Sequence, residues 1–226
     1  MLYCSMILNK KFDYKQLQRI DHPSGRRYIV DNGRPLPSVT TILSLTTDMS
    51  YLAEWREAVG EAEATRIVTE SSTLGSSMHN LIEDYILGRE MKGQYMAITL
   101  AKLIIKKGLC NVNEVWGTEV GLYSTDLYAG TSDLIGCHNG VPAIIDYKNS
   151  RQEKTKEMID NYFMQLVAYA TSHNEMFNTN IKKGVVMMAT RAGKYLEFII
   201  EGDEFAHYET MWANKVLEFY EKFGIW

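Results

Sequence analysis

The chain has 226 residues, 46% of them hydrophobic and 23% charged, with 16 glycines and 4 prolines. That composition excludes a disordered, collagen-like or low-complexity polymer, and a chain of this length buries about 70% of its unfolded surface, enough for a sizeable core. The net charge of −4 is unevenly spread: seven basic residues face three acidic ones over positions 1–40, and eight face five over 146–194, while acidic residues dominate elsewhere. Each basic stretch is either a solvated face or a surface for a polyanion.

Unbroken apolar runs reach only five residues, as in Val185 to Ala189, far short of the roughly 20 that cross a bilayer, so no membrane span is expected. Cys4, Cys110 and Cys137 are an odd number with no C-x-x-C pair. This argues against a disulfide framework and against a zinc or iron–sulfur cluster. Residues 1–11 lack the order of a secretory signal, and the reading is a cytoplasmic protein.

In chain order, Arg26 to Val30, the break at Asp31-Asn32-Gly33 and the run Pro35 to Leu43 predict a hairpin followed by a strand or helix start. Leu52, Trp55, Val59 and Ile67 predict an amphipathic helix over about 50–69, and the Ser-Ser-Thr at 71–73 predicts a break. Met78, Leu81, Ile82, Tyr85 and Ile86 then give a second helix, ended by Gly88, and Tyr95 to Lys107 a third, closed by Gly108. The period changes to two over 115–123, 128–136 and 142–148, with Asn139-Gly140 as the second turn. A helix over 156–174, strands over 184–190 and 195–200 and a helix over 203–223 complete the chain. The pattern is α/β without repeats: a hairpin and helices to about 110, a core over 111–200 and a closing helix, read as one domain spanning 1–226.

The densest chemistry lies in Gly130-Thr131-Ser132-Asp133 and in Ile144-Ile145-Asp146-Tyr147-Lys148-Asn149-Ser150. Side chains at i and i+2 share one face of a strand, so Asp146 and Lys148 point the same way, and the intervening turn can bring Asp133 beside them. Two adjacent carboxylates repel unless a cation lies between them, and hard oxygen ligands suit Mg²⁺ or Mn²⁺. The plainer alternative is a turn aspartate with a strand-edge ion pair. Against it, Ile144-Ile145 mark a buried strand, where charge is rarely spent without use.

These segments resemble the Asp…Asp-x-Lys core of the PD-(D/E)xK nuclease superfamily, whose restriction-endonuclease-like fold is a central mixed sheet flanked by helices. The resemblance is specifically to its RecB-like exonuclease branch. Leu74 to Glu83, with Gly75, His79 and Glu83, is similar to that branch's Gly-[ST]-x-x-His-x-x-Ile-Glu helix, and Gln165 to Tyr169 to its Gln-x-x-x-Tyr helix. The segment Leu36 to Leu43 and the early position of the His helix place the likeness nearest to mitochondrial genome maintenance exonucleases and related phage exonucleases. Ser132 stands where the superfamily pattern has proline, and the four cysteines of the iron–sulfur subgroup are missing.

The resemblance implies a Mg²⁺- or Mn²⁺-dependent deoxyribonuclease with Asp133, Asp146 and Lys148 as catalytic residues. It implies His79, Asp133, Asp146 and the Tyr147 carbonyl as metal ligands, with Glu119 either assisting or a plain strand glutamate. Ser150, Gln165 and Tyr169 are the implied substrate contacts, and the implied partner is DNA, single-stranded or with free ends, in replication, recombination or repair. A structure-selective endonuclease of the same fold and a non-catalytic nucleic-acid-binding subunit are the alternatives.

Overall fold

The computed structural model describes residues 6–48 and 50–224. Its elements in order are β1 (Ile7–Leu8), β2 (Gln18–His22), β3 (Gly25–Ile29), β4 (Pro35–Pro37), α1 (Val39–Thr46), α2 (Ser50–Val59), α3 (Glu61–Ile86) and α4 (Tyr95–Lys107). They continue with β5 (Val112–Ser124), β6 (Tyr128–His138), β7 (Val141–Ser150), α5 (Asp160–Phe177), β8 (Lys183–Thr190), β9 (Tyr195–Glu201) and α6 (Gly202–Phe223). A mixed six-stranded sheet runs β1-β5-β6-β7-β8-β9, and a small sheet runs β2-β3-β4. This is an α/β fold with a central mixed sheet flanked by helices.

Alternation along the buried strands sends side chains to both sides of the large sheet. Ile135, Ile144, Val186 and Met188 pack with α5 and α6, whereas Leu134, Ile145, Tyr147, Val185 and Met187 pack with α3 and α4. Strands covered on both faces read as apolar runs for this reason. The turn between β6 and β7 is the two-residue Asn139-Gly140, with φ of 50° and 78°, as a hairpin of the primed type requires. At Gly130 a Cβ would lie 2.8 Å from the Tyr169 ring, so a glycine there lets α5 sit directly on β6.

Three local expectations are corrected. The helix over 50–69 is divided at Gly60, which takes φ 86°, and α3 then runs unbroken through Ser71-Ser72-Thr73. The helix-propensity cost of such residues is a few tenths of a kcal/mol each, and tertiary contacts offset it. Arg191 bonds Glu70 at 2.5 Å and the Ser71 hydroxyl at 3.2 Å. The helix read from Lys156 begins at Asp160, after a 3-10 turn over Lys156–Met158. Strand β2, pairing antiparallel with β3 from Gln18↔Ile29 to His22↔Gly25, carries no alternation in its sequence and escapes a pattern reading.

Of the cysteines, Cys4 lies outside the described residues and Cys137 is a free buried thiol. No helix among the described residues is long and apolar enough to cross a membrane.

Candidate functional site

The site is made by a split in the large sheet. β6 and β7 pair from His138↔Val141 to Leu134↔Ile145 and then part: β6 continues beside β5 to Tyr128, and β7 beside β8 to Ser150. Asp133 and Asp146 are the first residues past the last pair. Parting leaves the β7 backbone without its ladder partner, and an orphaned buried amide costs about 1–3 kcal/mol. Side chains fill the gap: the Tyr147 amide donates to Asp133 Oδ2 at 2.8 Å, and the Tyr147 carbonyl lies 2.8 Å from His79 Nε2.

The split also lets residues from both layers meet. Asp133 and Asp146 lie on the α5 face by alternation, whereas His79 projects from α3 on the other face and reaches them at the gap. Its Nδ1 is 3.4 Å from Asp133 Oδ1. A single cavity of about 440 Å³ is lined by His79, Glu119, Asp133, Asp146, Lys148, Gln165 and Tyr169 together with Arg19, Arg26 and Tyr28 of the small sheet. Seven of the nine predicted positions therefore converge on it, counting Tyr147 apart because it contributes only through its backbone.

Lys148 is the hub of the α5 side. Its Nζ is 2.5 Å from Asp146 Oδ2, 3.5 Å from Gln165 Oε1 and 4.9 Å from the centre of the Tyr162 ring. Burial works against the ammonium, but Asp146 and Asp133 outweigh it and hold the lysine above its ordinary value. Asp146 is 2% exposed, and its burial, with Asp133 nearby, raises its carboxyl to about 6 even against Lys148. Asp133 is also desolvated, yet His79 outweighs that penalty and holds it below the usual carboxylate range. His79 mirrors this: burial disfavours the imidazolium, and Asp133 overcomes it, raising the ring to about 9.

Glu119 is bound into the site by backbone conformation. It takes φ 48° within β5, a left-handed geometry that costs a non-glycine residue about 1 kcal/mol. Burial and then Asp133 raise its carboxyl to about 7. Ligand atoms of His79, Glu119 and Asp133 all lie within 4.8 Å of one another. Glu119, which the sequence allows as a plain strand glutamate, therefore belongs to this cluster.

Two predicted positions have other partners. The Tyr147 carbonyl faces His79 Nε2, so in this arrangement it orients the imidazole. The Ser150 hydroxyl donates to the Gln152 carbonyl at 2.6 Å and is not among the groups that line the cavity: the strand ends there and the hydroxyl closes the following turn. Glu83, one helical turn beyond His79, accepts from Thr118 Oγ1 at 3.2 Å and ties α3 to β5. The sequence does not point to Arg19, Tyr28 and Thr131 as site residues, because it shows nothing of how the small sheet folds over the cavity.

Whether a divalent cation suits these groups is answered by the donor set. Three carboxylates converge on one lysine and one imidazole, and neither oxygen of buried Asp146 accepts an aligned hydrogen bond. His79 donating through Nε2 to a backbone carbonyl would leave Nδ1 as a lone pair facing Asp133 Oδ1, a pairing of two acceptors that needs a proton or a cation between them. The set fits a hard or borderline cation such as Mg²⁺ or Mn²⁺.

No family model matches the chain, and no curated protein sequence matches it. Among solved structures, the crystal structure of SSO0001 is similar at a TM-score of 0.39 with 18% identity, covering 74% of this chain and 69% of that one.

Proposed function

We propose that this chain is a Mg²⁺- or Mn²⁺-dependent deoxyribonuclease of the PD-(D/E)xK type, a RecB-like exonuclease hydrolysing phosphodiester bonds at free ends of single-stranded DNA. The observation that carries the reading is the convergence, at the split between β6 and β7, of Asp133, Asp146 and Lys148 with His79 from the opposite layer. His79, Glu119 and Asp133 would hold the cation, with Asp146 beside them. Bound there, the cation supplies a water of lowered pKa and neutralises phosphate charge.

The chain's own groups do the rest. Lys148, kept charged by Asp146, is a hydrogen-bond donor and not a base. It orients the attacking water and stabilises the charge that grows on the phosphate oxygens. Gln165 fixes the lysine's direction, and Tyr169 closes the cavity wall behind it. Water adds to phosphorus, the P–O3′ bond breaks, and the leaving oxygen takes a proton, giving a 5′-phosphate and a 3′-hydroxyl.

The test is digestion of single-stranded oligonucleotides labelled separately at each end, beside circular single-stranded DNA, with Mg²⁺ or with chelator. Mg²⁺-dependent loss of linear DNA with intact circles is expected. Nicked circles would replace the exonuclease with an endonuclease, and two untouched substrates would remove the hydrolase reading.

A further inference from the structure

One charged wall of the cavity has no part in the chemistry above. The small sheet presents Arg19, Arg26 and Tyr28 to the same space as the three carboxylates. Arg19 lies directly across from Tyr28 in the register, and Arg26 is two residues from Tyr28 on β3, so all three share one face. Arg27, between Arg26 and Tyr28, points away and is 4% exposed.

Arg26 is partly buried, and none of the ion pairs or side-chain hydrogen bonds found among the described residues uses its guanidinium. Asp21 is its cross-strand neighbour, but that carboxylate bonds Arg19 at 3.1 Å, in a pair exposed enough to be worth little. The backbone of Arg26 is nevertheless held firmly. Its carbonyl accepts from the Ser38 amide and from Thr41 Oγ1, both at 2.9 Å, which ties β3 to the start of α1. A fixed backbone under an uncommitted guanidinium is a preorganised anion donor, and the fork of an arginine matches phosphate geometry. Hydroxyls of Ser38, Thr40 and Thr131 line the space around it.

We infer that Arg26, assisted by Arg19, is the phosphate-gripping wall of the cavity, holding a nucleic-acid phosphate opposite the carboxylate wall. The inference rests on the nuclease reading and deepens it: one cavity sorts a cation to β5–β7 and a phosphate to β2–β3. It also gives a use to the basic excess of residues 1–40. The phosphate is either a terminal monoester or an internal diester, which share this chemistry.

Fluorescence anisotropy with a 3′-labelled single-stranded oligonucleotide, in chelator and without turnover, tests it on the whole chain. Arg26→Ala is expected to weaken binding about tenfold and to lower the slope of log affinity against log salt by about one. Arg26→Lys should recover part of the loss and Arg19→Ala should lose less. Under turnover, KM should rise by a larger factor than kcat falls. Circular dichroism checks that the variants fold, and Arg26→Gln provides a second neutral side chain of similar length.

Oligonucleotides with a 5′-phosphate or a 5′-hydroxyl separate the two sources. Discrimination that Arg26→Ala abolishes assigns the monoester, and equal loss on both assigns the diester. Unchanged affinity and salt slope in Arg26→Ala and Arg26→Gln, with wild-type protein binding and cleaving DNA, would overturn this inference alone. Wild-type protein that neither binds nor cleaves would overturn the nuclease reading itself.

Discussion

Two imidazoles, one partly buried and one fully buried, sit in opposite surroundings. His79 lies at the split sheet between carboxylates, and Asp133 raises it to about 9 against the cost of burial. His173 on α5 lies among Phe12, Tyr14, Trp116 and Phe177, where burial, with Lys11 nearby, pushes it down to about 4. Its ring nitrogens are engaged by the Tyr14 hydroxyl at 2.9 Å and Thr179 Oγ1 at 2.7 Å. Burial acts the same way on both rings. What separates them is that the fold also supplies negative charge to His79, where β6 and β7 have given up their shared ladder.

The largest effect that sharpens this contrast is on the charged side. On the proposed nuclease reading, Lys148→Ala should lose at least about a thousandfold of kcat, because it would remove a donor aimed at developing charge, while circular dichroism stays native. Retained Mg²⁺-dependent turnover in that variant would refute the catalytic assignment.

Next is cation binding followed by stability. Mg²⁺ at about a hundred times its dissociation constant should stabilise the chain by about 2.7 kcal/mol over chelator. His79→Ala should shrink that gain, read as a smaller shift in melting temperature. An equal shift in both proteins would remove His79 from the ligand set.

On the aromatic side, acid should unfold the chain through His173. Below about pH 6.5 the unfolded chain takes up a proton that the folded one refuses until about pH 4. The contribution of His173 to stability is therefore full above 6.5 and falls by about 3 kcal/mol towards pH 4. His173→Asn should flatten that part of the stability curve in urea melts at stepped pH. A slope that persists unchanged assigns the acid sensitivity elsewhere.

The smallest effect concerns backbone geometry. Glu119→Gly relieves a left-handed residue and removes a partly buried carboxyl, so in chelator it should stabilise by about 1 kcal/mol while weakening cation binding. Destabilisation in chelator would mean that Glu119 contributes structure and not strain.

The strands of the site were legible because their signals are local. Ile144-Ile145 before Asp146 mark burial, Asn139-Gly140 supplies the two positive φ angles of the turn, and i, i+2 spacing puts Asp146 and Lys148 on one face. Local signals do not report what a distant segment supplies. Ser71 to Thr73 read as a break because the hold of Arg191 on Glu70 and Ser71 spans some 120 residues. Arg19 passed unnoticed because β2 has little pattern of its own. Glu119 looked ordinary because a left-handed angle at a glutamate leaves no trace in composition. Ser150 keeps the alternation of the strand, but the strand stops there and its hydroxyl bonds the Gln152 carbonyl in the turn.

Gly130 sets the clearance between a helix and the sheet beneath it. Its missing methyl is the space that the Tyr169 ring occupies, and Gln165, which points Lys148, is one turn earlier on the same helix. Thickening the strand by one carbon would raise α5 like a shim under a bearing, moving the lysine's guide away without altering a single charged group.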